Sequence, residues 1–138
     1  MSIWTHVTGA IRIDDMNKVF SPALATDLSK IFIRNTWYHP NKNGNLPTGS
    51  EGSIDVEFID RDDNEFSNYI RTVVFFGDLR SFTQEDCQKI KDWWYNIPIQ
   101  LGKGCSIRQA VLNVEPEDGK SFVLTEKDMN LEEIDDYE

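Results

Sequence analysis

A chain of 138 residues with 14 Lys+Arg against 24 Asp+Glu carries a net charge of -10, which disfavours a general role on phosphate backbones or anionic lipid surfaces. Two cysteines, Cys87 and Cys105, are too few for a disulfide scaffold and match no metal spacing, so both are expected reduced, in or near the core. No apolar stretch approaches the roughly 18 residues of a membrane span, and Met1-Ser-Ile-Trp-Thr-His-Val lacks the basic start and apolar run of a signal peptide.

The first element is a strand over Thr5–Ile13, with Thr5, Val7, Gly9, Ile11 and Ile13 on the better core face and Trp4, His6, Thr8, Ala10 and Arg12 opposite. Asp14-Asp15 ends it. Ser21-Pro22 starts a helix over Pro22–Phe32, whose Leu24, Leu28, Ile31 and Phe32 form one stripe for packing on a sheet. The stretch from Arg34 to Gly52 has no sustained period and reads as a long connection, of the kind that is usually functional or mobile, with room for a hairpin at Asn43-Gly44.

A second strand over Ser53–Ile59 points Ile54, Val56 and Phe58 inward and Asp55 and Glu57 outward, and Asp60-Arg-Asp-Asp-Asn64 is turn chemistry. The third, Tyr69–Phe76, is apolar on both faces at Val73-Val-Phe-Phe76, which predicts a central strand covered more fully than its neighbours. Thr83-Gln-Glu-Asp86 resembles a capping box for a helix over Gln84–Ile97, with Cys87, Ile90, Trp94 and Ile97 on its buried face, Trp93 at the stripe's edge and Pro98 as its stop. A fourth strand over Ser106–Val114 folds back at Pro-Glu-Asp-Gly119 onto Lys120–Thr125 as a hairpin.

Strand, helix, strand, strand, helix, strand is the split βαβ plan. The expected fold is therefore an α+β, ferredoxin-like βαββαβ sandwich: an antiparallel sheet in order 4-1-3-2, two helices on one face, and an extra C-terminal hairpin strand. Residues 1–125 form this single domain. From Glu126 to Glu138 the acids outnumber the one lysine so heavily that 126–138 reads as a flexible acidic tail.

Few constellations carry chemistry. His6 and His39 are the two histidines, and neither has the His, Cys or Glu spacing of a zinc site or of a nucleophilic dyad, so no catalytic residue, metal or cofactor is expected. Thr48-Gly-Ser-Glu-Gly-Ser53 lacks the lysine of a phosphate loop and precedes a strand, so it reads as a loop gripping the strand start. Gly77-Asp78-Leu79-Arg80 follows the third strand, where Asp78 and Arg80 either pair structurally or orient a ligand. An RNA-recognition reading fails: Trp4 and Phe75 meet the aromatic geometry only loosely, and the strand lacks the basic, glycine-containing consensus. An acylphosphatase reading fails at Asp14-Asp15, where that family needs a glycine-rich loop with arginine.

Ser2-Ile-Trp-Thr-His-Val-Thr-Gly-Ala-Ile-Arg-Ile-Asp14, Gly49-Ser-Glu-Gly-Ser53, Phe76-Gly-Asp-Leu-Arg80 and Ile107-Arg-Gln-Ala-Val111 together resemble a group of small uncharacterised bacteriophage proteins. The resemblance implies a phage-encoded protein acting in the cytoplasm of the bacterial host, and it brings no catalytic residues. The expected function is non-enzymatic binding: an accessory or counter-defence inhibitor that blocks a host or defence protein with a basic surface, without direct contact to nucleic acid or membrane. The acids expected at that interface are Asp55, Glu57, Asp60, Asp62 and Asp63. Two alternatives stay open. One is a small-ligand or nucleotide-handling protein using the 34–52 loop with His39, Glu51, Asp78 and Arg80; the other is a virion or assembly component that forms a homo-oligomer through a sheet face.

Overall fold

The structure, a computed structural model, describes residues 2–38, 40–60 and 68–131. Its elements in chain order are β1 (Trp4–Asp15), α1 (Met16–Phe20), β2 (Thr48–Gly49), β3 (Gly52–Ser53), β4 (Asp55–Asp60), β5 (Ile70–Arg80), α2 (Cys87–Leu101), β6 (Cys105–Pro116) and β7 (Phe122–Thr125). Five strands form one sheet in the order β4-β5-β1-β6-β7, and every pairing is antiparallel. The four main strands thus stand in the expected order, and β7 adds the expected hairpin strand.

The alternation in β1 does what its residue types dictate. Thr5, Val7, Ile11 and Ile13 are buried on one face, together with Val73, Phe75 and Leu79 of β5 and Ala110, Leu112 and Val114 of β6. Gly9 belongs to this face because nothing larger fits: a Cβ there would lie 2.3 Å from the Val111 carbonyl oxygen of β6. β1 and β6 lose register between Arg12 and Ile13, a local bulge that leaves Arg108 free to reach Asp14, Nε to Oδ1 at 2.9 Å.

α2 covers this face over β5 and β6. Asp86 accepts from the backbone N–H and hydroxyl of Thr83, at 2.9 and 3.1 Å, so half of the expected capping box forms and the helix begins at Cys87. Pro98 does not stop it. The helix runs one further turn, burying Pro98 and Leu101, and ends at Gly102, whose φ of +80° and N–H to the Pro98 carbonyl close it. Trp94 is fully buried and donates from Nε1 to the Thr125 carbonyl at 2.9 Å, while Trp93 is also buried, edge-on to Phe75.

The first helix is the main correction. Instead of a helix over Pro22–Phe32 there are two single 3₁₀ turns, Pro22–Leu24 and Leu28–Lys30. Each has its own cap, the Ser21 hydroxyl on the Ala23 N–H and the Asp27 carboxylate on the Ser29 N–H, so the chain restarts midway. Between them the Thr26 N–H donates to the buried Asp15 carboxylate at 2.8 Å, which draws that peptide out of any helical ladder. Leu24, expected on the stripe, is exposed, whereas Leu28 and Phe32 reach the core as expected. Phe32 lies edge-on to Phe75 at 5.4 Å between ring centres, so irregular chain fills the place of a helix beside α2.

The long connection is held by its own side chains. The Asn45 side chain accepts from the Ile33 N–H and donates to the Ile31 carbonyl, and Ser53 and Asn35 exchange hydrogen bonds. Asn41–Gly44 is a turn without strands, and the hairpin is β2–β3 instead. The expected tail boundary also moves. Residues 126–128 form a capped 3₁₀ turn, Met129 is buried, and Leu131 packs against the core. Residues 132–138 lie outside the described residues.

Candidate protein-binding face

Both layers of cover, α2 and the chain that buries Leu28, Phe32, Leu46 and Ile54, lie on one side of the sheet, because the buried and half-buried core residues of the main strands belong to one alternating set. The other set forms the second face. Its rows run across the five strands as Asp55–Phe76–Thr8–Asn113–Val123 and Glu57–Val74–Ala10–Val111–Thr125. Phe76, Val111, Ile59 and Val123 are 41–55% exposed there. The third strand, expected to be central and covered more fully than its neighbours, is an interior strand of the sheet, but its cover is on one face only: Val73 and Phe75 are buried, Phe76 is not. Phe75 is likewise removed from the open face, where its neighbour Phe76 stands instead.

Acids border this apolar centre on two sides. Asp55 and Glu57 line the edge strand β4, and Asp78, Glu115 and Glu117 lie toward one end of β5, β6 and the turn after β6. Asp55 accepts from Arg34 Nη1 at 2.8 Å and Glu115 from Asn113 Nδ2 at 2.9 Å, which holds each carboxylate at the rim. Arg12 stands at the other end of the face, one row beyond Ala10.

The acid-rich end is built around His6. Its Nδ1 lies 2.6 Å from Asp78 Oδ1 and its Nε2 3.3 Å from Glu117 Oε2, while the other Glu117 oxygen accepts the Trp4 N–H at 3.0 Å. Carboxylates accept only, so satisfying both requires the doubly protonated ring. The Asp78 hydrogen bond accordingly raises the His6 pKa above its ordinary 6.5; burial opposes this and Glu117 adds to it. The two carboxylates sit on opposite ring nitrogens, a geometry for an imidazolium and not for one shared metal ion. Among the described residues no group of His, Cys, Asp and Glu could hold a metal ion.

Of the five acids expected at an interface, Asp55 and Glu57 share the open face. Asp60 does not. It lies on the opposite side of β4, where its carboxylate takes Arg71 Nε at 2.8 Å and Nη2 at 3.2 Å. Asp62 and Asp63 lie outside the described residues, as does His39. Of the alternative ligand site, the three described residues divide between two ion pairs. Glu51 and Arg80 pair with each other at 2.8 Å, and Asp78 turns to His6. Gly77–Arg80 belongs to β5 itself instead of following it, and Asp78 and Arg80, each taken by another partner, do not pair with each other.

Sequence reasoning missed the His6 pair of carboxylates, since Glu117 is far away in the chain. It also passed over Phe76, Val111 and Val123 as a surface. The signal existed: each is apolar at a position alternate to the core set. No family model, curated protein or solved structure matches this chain.

Proposed function

We propose that the protein is a non-enzymatic binding module whose open sheet face takes a partner protein bearing a basic, amphipathic segment. The observation that supports this reading is the combination on one face of exposed Phe76, Val111, Val123 and Ile59 with an acidic border of Asp55, Glu57, Asp78, Glu115 and Glu117. Apolar surface bordered by polar groups is what docking sites look like, and carboxylates on two of its sides favour a partner of the opposite sign. The same border argues against a second copy of this chain and against nucleic acid, each of which would bring negative charge to it.

In the setting that the phage resemblance implies, the partner is a basic host or defence protein that is blocked by occupation of its surface. The fold is a variant of the split βαβ plan in which turns replace the first helix, an arrangement supported by the strand order and by α2 lying on one face.

The test uses a lysine–leucine amphipathic peptide, with NMR shift mapping on the intact chain. Perturbations gathered on Ala10, Val74, Phe76, Val111 and Val123, weakening as salt rises, support the reading. Perturbations confined to the outer side of α2, at Tyr95 and Ile99, overturn it. So does a salt-indifferent dimer abolished by Phe76→Asp, which would make the face a self-association surface.

A further inference from the structure

We infer that His6 is an internal counter-cation that sets, through its protonation, how much of the acidic border is available to a partner; this rests on the open face being the binding surface. The protonated ring donates to Asp78 and Glu117 at once, takes one acceptor oxygen of each and offsets their charge toward a partner's lysine or arginine. Loss of one proton leaves a single N–H between two carboxylates, so one carboxylate is released and the face becomes more negative by one charge. Glu117 stays in place when this happens, because the Trp4 backbone N–H still holds its other oxygen.

The surroundings permit the exchange. Trp4, His6, Asp78 and Glu117 line a shallow, open surface depression, so a cationic head group reaches both carboxylates beside the ring from solvent. The charged groups around the imidazole are Asp78 and Arg80 of β5, Glu115 of β6 and Glu117 of the following turn; Trp4 and Thr8, its neighbours along β1, carry none. Arg80 does not take over the role of His6, since it is held by Glu51 and by the Ser2 hydroxyl. The His6 side chain is 42% exposed, so solvent protons reach it without unfolding.

Affinity for a cationic partner should therefore rise with pH through the titration of His6. The decisive experiment follows the imidazole by NMR on the intact chain, with His6→Gln assigning its signal. In parallel, the lysine–leucine peptide is bound at about pH 5.5 and about pH 8.5, on either side of an ordinary histidine. A midpoint above the ordinary value that falls in Asp78→Asn and in Glu117→Gln is expected. Peptide binding should strengthen roughly two- to fivefold at the higher pH, the scale of an exposed ion pair, and His6→Gln should bind alike at both.

An ordinary midpoint, or one that Asp78→Asn leaves in place, overturns the inference. Equal peptide affinity at both pH values, with loss in Glu57→Lys, overturns the pH control and leaves the binding face standing. A raised midpoint with no peptide binding at either pH overturns the binding face itself, and the control over it.

Discussion

Two groups of the same composition, carboxylate–cation–carboxylate, sit at opposite ends of the sheet and differ in nearly everything else. At one end Arg71 donates to both oxygens of Asp60 and, through Nη1, to Asp15 at 3.0 Å and to the Thr26 carbonyl at 2.6 Å. Asp15 is fully buried and Arg71 nearly so. At the other end His6 joins Asp78 and Glu117 on the open face, in water. Burial and a permanently charged guanidinium make the first a fixture that orders the irregular chain after β1. Exposure and a titratable ring make the second an adjustable charge. Location, more than residue type, decides which role such a triplet takes.

The contrast can be broken most sharply at Arg71. Arg71→Met should cost about 3–5 kcal/mol in urea unfolding, because Asp15 is left buried with its countercharge removed. Adding Asp15→Asn should recover much of that loss; a single mutant within ~1 kcal/mol of the wild type would show that Asp15 needs no cation. Trp94→Ala supplies a scale for the comparison. It removes a fully buried indole and its bond to Thr125 and should cost about 3–5 kcal/mol as well.

On the exposed side the effects move to binding. Asp55→Lys with Glu57→Lys should slow association with a cationic partner several-fold at low salt and change the melting temperature little; unchanged association would mean that the acidity serves solubility alone. Stability should respond to His6 only weakly, within about 1 kcal/mol. The sign is set by the raised pKa of its folded state. Its contribution is complete below the ordinary value of about 6.5 and is lost as pH rises through the folded value, so wild type and His6→Gln should converge in alkaline solution. Divergence there would mean that the ring stabilises by packing.

Much of the fold was legible because it is periodic. Val7, Ile11 and Ile13, or Ile90, Trp94 and Ile97, state their buried face by spacing alone, and the strand order followed from the order of elements. The first helix was misread because Leu24, Leu28, Ile31 and Phe32 fit a helical stripe, while what undoes it lies elsewhere: Asp15 reaching the Thr26 N–H, and a second cap at Asp27. The proposed binding face was half legible. Asp55 and Glu57 were placed by alternation, and Asp60 was misplaced because its parity turns it toward Arg71 on the covered side. A strand apolar on both faces, as at Val73–Phe76, signals either two covers or one cover and one surface for docking, and spacing cannot separate them.

The two thiols turn this polarity of the sheet into something that can be timed. Cys105 lies beside Thr26, its Sγ 3.3 Å from the hydroxyl, and burial pushes its pKa up to about 11. Cys87 is buried in the first turn of α2 at the other end, near the Thr83 carbonyl, and burial raises its pKa too. Neither is a thiolate at neutral pH in the closed protein, so alkylation must wait for its own end to open. With one cysteine replaced by alanine at a time, the two labelling rates become separate clocks for the guanidinium-clamped end and the imidazole-clamped end of a single sheet.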